Sequence, residues 1–271
     1  MKKLFILILE LSFFPLCFSQ ISGIIPSANS IANTSVSDSK SWTAFNNPAM
    51  ISYIEKAEMG IQYENRFIIN ELSTKSFQAA YSTDFVNAGL SFSYFGYSLY
   101  HEMLIGLGFA RNFSDHFALG VQFNYLNAYF SAINDYKTAF FPQIGLNVNI
   151  SPVLNLSFNT FNPFQTNITT EYVTKRIPSV FSLGTAYSFA DNLVWRVQID
   201  KEISSNYRFA TGFDYEMLRF LKVKLGAYAH NYLVPCLGLG FKTGAFHFDL
   251  NGELHPILGV NTLASLKYVF K

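Results

Sequence analysis

From Ala57 to the end of the chain, apolar and polar residues alternate with a period of two. That period sends successive side chains to opposite faces of a strand. In the last stretch, Leu258, Val260, Thr262, Ala264, Leu266, Tyr268 and Phe270 form one face, and Gly259, Asn261, Leu263, Ser265, Lys267 and Val269 form the other. The fifth stretch sets Phe117, Leu119, Val121, Phe123 and Tyr125 against Ala118, Gly120, Gln122 and Asn124. The ninth sets Leu193, Trp195, Val197 and Ile199 against Arg196, Gln198 and Asp200, and the eleventh sets Leu221, Val223, Leu225 and Ala227 against Lys222, Lys224 and Gly226. In each, the apolar face is the one expected to meet lipid.

About fourteen strand-like segments follow from this pattern, most near the length that a tilted membrane strand needs. They are 57–67, 75–83, 86–95, 100–111, 116–129, 138–149, 152–161, 178–189, 192–202, 206–215, 220–229, 234–242, 245–252 and 257–270. A soluble antiparallel sandwich also alternates, so the pattern alone leaves both architectures open. The connections favour the barrel. Every second one is short: Thr83-Asp84, Asn112 to Asp115, Ser151-Pro152, Ala190 to Asn192, Met217 to Arg219 and Thr243-Gly244. The two longest, 130–137 and 162–177, fall on the opposite side. Short periplasmic turns alternating with longer outer loops are the habit of outer-membrane barrels. The expected fold is therefore all-β: a closed antiparallel transmembrane β-barrel of about fourteen strands with a short N-terminal plug segment and a periplasmic C-terminus.

The first 56 residues do not alternate. Lys2 and Lys3 precede an apolar run from Leu4 to Phe18, interrupted by Glu10 and followed by Ser19-Gln20. That order reads as a signal peptide, residues 1–19. The run is short of the ~20 apolar residues of a spanning helix. Residues 20–56 are rich in Ser, Asn, Ala and Ile and are expected to fold as a plug in the barrel mouth, covering Trp42 and Phe45. Within them Asn47 precedes Pro48, which favours an extended Asn47 and ends any helical turn through 41–46. Residues 57–271 then form the barrel.

Composition adds to this picture. Only 14% of the 271 residues are charged, while Phe and Tyr number 29 and 16. Aromatic girdles on a lipid-facing sheet would use them. Removing residues 1–19 leaves a formal charge of zero, which speaks against a nucleic-acid partner. Cys236 is then the one cysteine, so no intrachain disulfide is expected.

The final strand, ending in Phe270 with Tyr268 two residues earlier, resembles the terminal signal of bacterial outer-membrane β-barrels. Asn47-Pro48-Ala49 after a small-residue leader, followed by the strands, resembles the FadL-like superfamily of such barrels, and within it the PorV/PorQ-type proteins. The runs Phe189-Ala190-Asp191-Asn192-Leu193, Arg208-Phe209-Ala210-Thr211-Gly212-Phe213-Asp214-Tyr215, Gly238-Leu239-Gly240-Phe241 and His255-Pro256-Ile257-Leu258-Gly259 carry the likeness in the C-terminal third. The resemblance implies one of two roles. FadL-like transporters pass small hydrophobic molecules through a plugged barrel. PorV/PorQ-like proteins dock partners in type IX secretion and surface attachment. A structural barrel without transport is the remaining reading.

Candidate chemistry is sparse. His101, His116, His230, His247 and His255 are scattered and join no hydrolase signature, so no catalytic residue or cofactor is expected. His247 and Asp249 share a strand face, but a hydrogen-bonded pair in the lumen is the preferred reading over a metal site. Cys236 shares its face with Gly238 and Gly240 and reads as a small interior residue. The expected site is thus the plug motif, Trp42 with Asn47, Pro48 and Ala49, together with the lumen charges Arg196, Asp200, Arg208, Asp214, Lys222 and Lys224. A three-residue turn at 203–205 would set Asp200 opposite Arg208, and a symmetrical turn at Leu218 would set Asp214 opposite Lys222, within ion-pairing reach.

Overall fold

The computed structural model describes Ile25, Ser27 and residues 31–40, 43–131, 134–169 and 174–270. The expected signal peptide and Trp42 lie outside the described residues. The strands are β1 (Ala57–Asn65), β2 (Ser73–Tyr81), β3 (Asn87–Tyr97), β4 (Tyr100–Ser114), β5 (Phe117–Phe130), β6 (Asp135–Ser151), β7 (Leu154–Phe161), β8 (Asn167–Thr169), β9 (Thr174–Arg176), β10 (Val180–Ala190), β11 (Leu193–Glu202), β12 (Tyr207–Leu218), β13 (Leu221–Ala229), β14 (Leu233–Thr243), β15 (Phe246–His255) and β16 (Gly259–Phe270). All but β8 and β9 form one closed antiparallel barrel of fourteen strands. β1 closes it, with Tyr63 opposite Lys75 of β2 on one side and Ala264 of β16 on the other.

The alternation read from the sequence is the alternation of the wall. Ile61, Phe123, Phe140, Leu237 and Leu250 face outward and are each more than half exposed. Across the wall, Gln78, Gln122, Asn124, Gln143 and Asn147 face inward and are at most 1% exposed. Large apolar groups outside and amides inside are the arrangement a lipid surround demands, since water would disfavour the first and lipid the second. Among the described residues no helix is long and apolar enough to cross a membrane.

The two ends of the barrel differ. At one end the strands join through short turns, and four register shifts lie just before them, at 112/114, 149/151, 188/190 and 216/218. A bulge at a rim lets a strand bend into a two-residue turn without losing its ladder. The other end carries the longer loops, including 162–179 between β7 and β10. That loop contains the small hairpin β8–β9, inside what the alternation marks only as a long connection.

The turn after β12 overturns a pairing expectation. Asp200 does stand opposite Arg208. Asp214, however, stands opposite Lys224, and Lys222 stands opposite Glu216. The turn lies at Arg219-Phe220, with Leu218 opposite Leu221, and not at Leu218, and the bulge between Glu216 and Leu218 then moves the register by one residue.

Candidate functional site

The lumen is not empty. The N-terminal segment threads it from the loop end to the turn end. At the loop end Ser27 donates through N and Oγ to the Glu64 carboxylate, at 2.9 and 2.8 Å. The segment continues through a tight turn at Ile31–Asn33, a helical turn at Thr43–Asn46 and 3-10 turns at Pro48–Tyr53. At the turn end the Tyr53 hydroxyl accepts from Asn147 Nδ2 at 2.6 Å. Irregular backbone at membrane depth survives only where protein satisfies its N–H and C=O groups. The wall does this with inward side chains. Gln198 Oε1 accepts from Val36 N at 3.0 Å, Asn155 Nδ2 donates to Ser37 O at 3.2 Å, and Asn87 Nδ2 donates to Ile51 O at 2.9 Å.

Asn47-Pro48-Ala49 is the tightest part of this fit. Asn47 is extended (φ −151°, ψ 109°) and caps the following turns, its Oδ1 accepting from Ala49 N at 3.0 Å. Its Nδ2 donates to Val36 O at 2.8 Å, joining two stretches of the segment. Pro48 occupies the first helical position, where its missing N–H costs nothing. Against these residues the wall presents Gly120 of β5 and Gly145 of β6. A Cβ at Gly145 would lie 1.9 Å from Asn47 Oδ1, and one at Gly120 would lie 2.3 Å from the Pro48 carbonyl carbon. Only glycine allows so close an approach of backbone to backbone. Gly106, Gly108 and Gly238 also lie on the inner face. Of these Gly108 does face the segment, at Ile51, whereas Gly106 and Gly238 face wall side chains.

The charges occupy the other half of the wall. Arg196 bridges Asp38 of the segment, at 3.3 Å, and Asp214 of β12. Arg208 pairs with Asp200 at 2.6 Å and donates to Ala32 O. Lys224 pairs with Asp249 of β15. Lys267 pairs with Glu58 at 3.1 Å and donates to Lys40 O at 2.6 Å. Arg196, Asp200 and Lys224 are each under 10% exposed. Lys222 stands apart at the turn-end rim, 3.7 Å from Glu216, with both side chains over a third exposed. The structure thus brings five of the six expected charges into the lumen. Arg196 and Arg208 also hold the segment there. His247 and Asp249 do share the inner face, but Asp249 is engaged by Lys224.

Above the segment's seat the amide half of the lumen is layered. Gln143 Nε2 donates to Asn159 Oδ1 at 3.1 Å, and Gln122 Nε2 donates to Asn124 Oδ1 at 2.9 Å. Toward the loop end the inward positions turn apolar, with Phe95, Leu104, Leu126, Phe141 and Phe161 packed in one cluster. Ile168 of β8 and Ile177 just after β9 complete it from above. Lys175 of β9 meets the Glu102 carboxylate and the Tyr100 hydroxyl beside this cluster. Burial pulls the Lys175 ammonium below its ordinary pKa, and Glu102 opposes that shift. None of Glu102, Lys175, Gly120 or Gly145 was singled out from the sequence. Each gains its role from a partner distant along the chain.

No family model matches the chain, and no curated protein matches it in sequence. Solved structures do match in shape. The toluene transporter TodX of Pseudomonas putida superposes with a TM-score of 0.69 at 9% identity, covering 92% of this chain and 98% of that one. A FadL homologue of Pseudomonas aeruginosa gives 0.59 at 13% identity, covering 84% and 94%. The monoaromatic hydrocarbon channel CymD gives 0.59 at 9% identity, covering 84% and 92%. At these identities what is shared is the fold, a closed β-barrel.

Proposed function

We propose that this chain is an integral outer-membrane barrel that passes small hydrophobic solutes, with residues 1–19 removed on export, residues 20–56 acting as its plug and the C-terminus on the periplasmic side. The observation that carries this reading is the apolar cluster at the loop end of the lumen, formed by inward Phe95, Leu104, Leu126, Phe141 and Phe161. A pore for polar solutes gains nothing from inward aromatic and leucine side chains, which water hydrates poorly. A hydrophobic solute leaving water would gain on reaching them. The barrels of like fold described as a toluene transporter and a monoaromatic hydrocarbon channel support the same substrate class. The bilayer is the surrounding partner. Neither a nucleic-acid partner nor a catalytic role is proposed.

A second reading keeps the barrel and changes its task. Ile68, Phe164, Leu233 and Ile257 lie at the loop end and are each more than 60% exposed. Exposed apolar groups of this size suit contact with another protein. They favour docking of secretion-system proteins, as in PorV/PorQ-type barrels of type IX secretion. The deciding measurement is uptake of a labelled monoaromatic hydrocarbon into proteoliposomes, run beside purification from native membranes in mild detergent. Uptake above protein-free liposomes supports transport. Stoichiometric secretion components without uptake would support docking, and neither result would leave a structural barrel.

A further inference from the structure

We propose that the outward face of the barrel at the loop end, centred on Lys75 between Tyr63 and Tyr94, is a binding site for the phosphate group of an anionic lipid. The inference rests on the membrane placement of the barrel and is independent of what passes through its lumen. Three observations carry it.

The first is the sorting of charge between the two faces of the wall. Every Asp and Glu of the fourteen barrel strands points inward, whereas Lys75, Arg111 and Lys201 point outward. The outer face therefore carries formal positive charge and no carboxylate to answer it. Two of the three cations are engaged locally. Arg111 lies over the Phe85 ring at 4.4 Å, and Lys201 lies over the Tyr207 ring and donates to Ser205 O. Lys75 is exposed, and among the described residues its ammonium has no ion pair and no hydrogen bond. Such a face is complementary to an anion.

The second is depth. Lys75 lies close to Ser73, the loop-end terminus of β2. A lysine on the lipid side is costly at the bilayer midplane and tolerated near the interface, where its aliphatic stem lets the ammonium reach the headgroups. Tyr63, Tyr94, Tyr129 and Tyr136 face outward at the same end of β1, β3, β5 and β6. Outward tyrosines mark the headgroup level of a barrel. The anions at that level are lipid phosphates, which basic side chains near a membrane surface attract.

The third is the surround. Tyr63 of β1 and Tyr94 of β3 stand directly opposite Lys75, as cross-strand neighbours about 5 Å away at Cβ. Tyr94 stacks on the His101 ring at 5.4 Å, His101 stacks on Tyr129 at 5.0 Å, and Tyr136 packs against Tyr129 at 4.9 Å. His101 Nδ1 is buried in this stack without a hydrogen-bond partner among the described residues, so ring contact is what holds the imidazole. The stack in turn fixes Tyr94 beside Lys75. One ammonium thus stands between two phenol side chains, and phosphate oxygens accept hydrogen bonds from both kinds of donor.

The test uses the full-length barrel in phosphatidylcholine proteoliposomes, with a bimane at outward position 77 (Phe77→Cys), next to Lys75 on the same face. The native Cys236 is buried and shielded from the label. Quenching is titrated with chain-spin-labelled phosphatidylglycerol and, in matched samples, with chain-spin-labelled phosphatidylcholine, whose choline neutralises its phosphate. Leu225→Cys places the same label on β13, equally far from the loop-end terminus of its strand. At 77 phosphatidylglycerol is expected to quench at lower content than phosphatidylcholine, and at 225 the two should match. Lys75→Gln should weaken the preference at 77 about fivefold, the factor that ~1 kcal/mol for one lysine at a membrane surface carries. Lys75→Arg should keep it. Quenching by phosphatidylcholine serves as the check that each variant is folded in the bilayer. A preference at 77 that survives Lys75→Gln, or that is equal at 225, would overturn the site while leaving the barrel in its membrane. If neither lipid quenches at 77, the membrane placement itself fails and the site with it.

Discussion

Arg196 carries two acidic partners from two different parts of the chain, Asp38 of the threaded segment and Asp214 of the wall. Replacing it with Met would leave both carboxylates without that cation in a closed space. Breaking a buried pair in this way costs about 3–5 kcal/mol, and urea unfolding of the refolded barrel should register a loss in that range. Lys222→Met is the contrast, because its pair with Glu216 is long and exposed. Exposed pairs contribute about 0–1 kcal/mol, so the same measurement should barely move. Gly145→Val tests the segment's seat. Its Cβ would overlap Asn47 Oδ1, and overpacking of this kind costs about 1–3 kcal/mol. Amide exchange should rise through residues 47–53 while the strands stay protected. Equal protection in the variant and the parent would mean that the close approach is not what seats the motif.

At the scale of the element, each strand has two unlike faces, and β11 displays the contrast over adjacent residues. Trp195 is 36% exposed on the outside and Arg196 is 5% exposed inside. Nitroxides at 195 and 196 should separate cleanly in a bilayer: lipid-soluble oxygen should relax the first more strongly than the second. Reversed accessibility would mean the register is off by one residue, since a single-residue slip moves every side chain to the other face. The strands were legible because this period is local. β8 and β9 were not, as each is three residues long and carries no alternation to read. The partner of Asp214 was missed for a different reason. The turn lies at Arg219-Phe220, and neither its position nor the one-residue bulge before it leaves a mark in the hydrophobic pattern.

For the molecule as a whole, closure of the sheet creates an interior that the chain's own N-terminal segment fills. Deleting residues 24–50 should raise single-channel conductance in planar bilayers, because the amides and ion pairs now spent on that segment would line water instead. Unaltered conductance would mean the segment does not limit passage. The chain alone determined that the fold is a barrel of about fourteen strands, which face of each strand points inward, and that Asn47 is extended before Pro48, because periodicity and the steric effect of proline act between near neighbours. It did not determine which glycines receive the segment, which acids answer Arg196, or that Ile168 and Ile177 join an apolar cluster of the wall. Those depend on residues such as Asn47 and Gly145, or Glu102 and Lys175, which only closure of the barrel brings within contact. No local pattern records a distance that the chain has yet to fold to make.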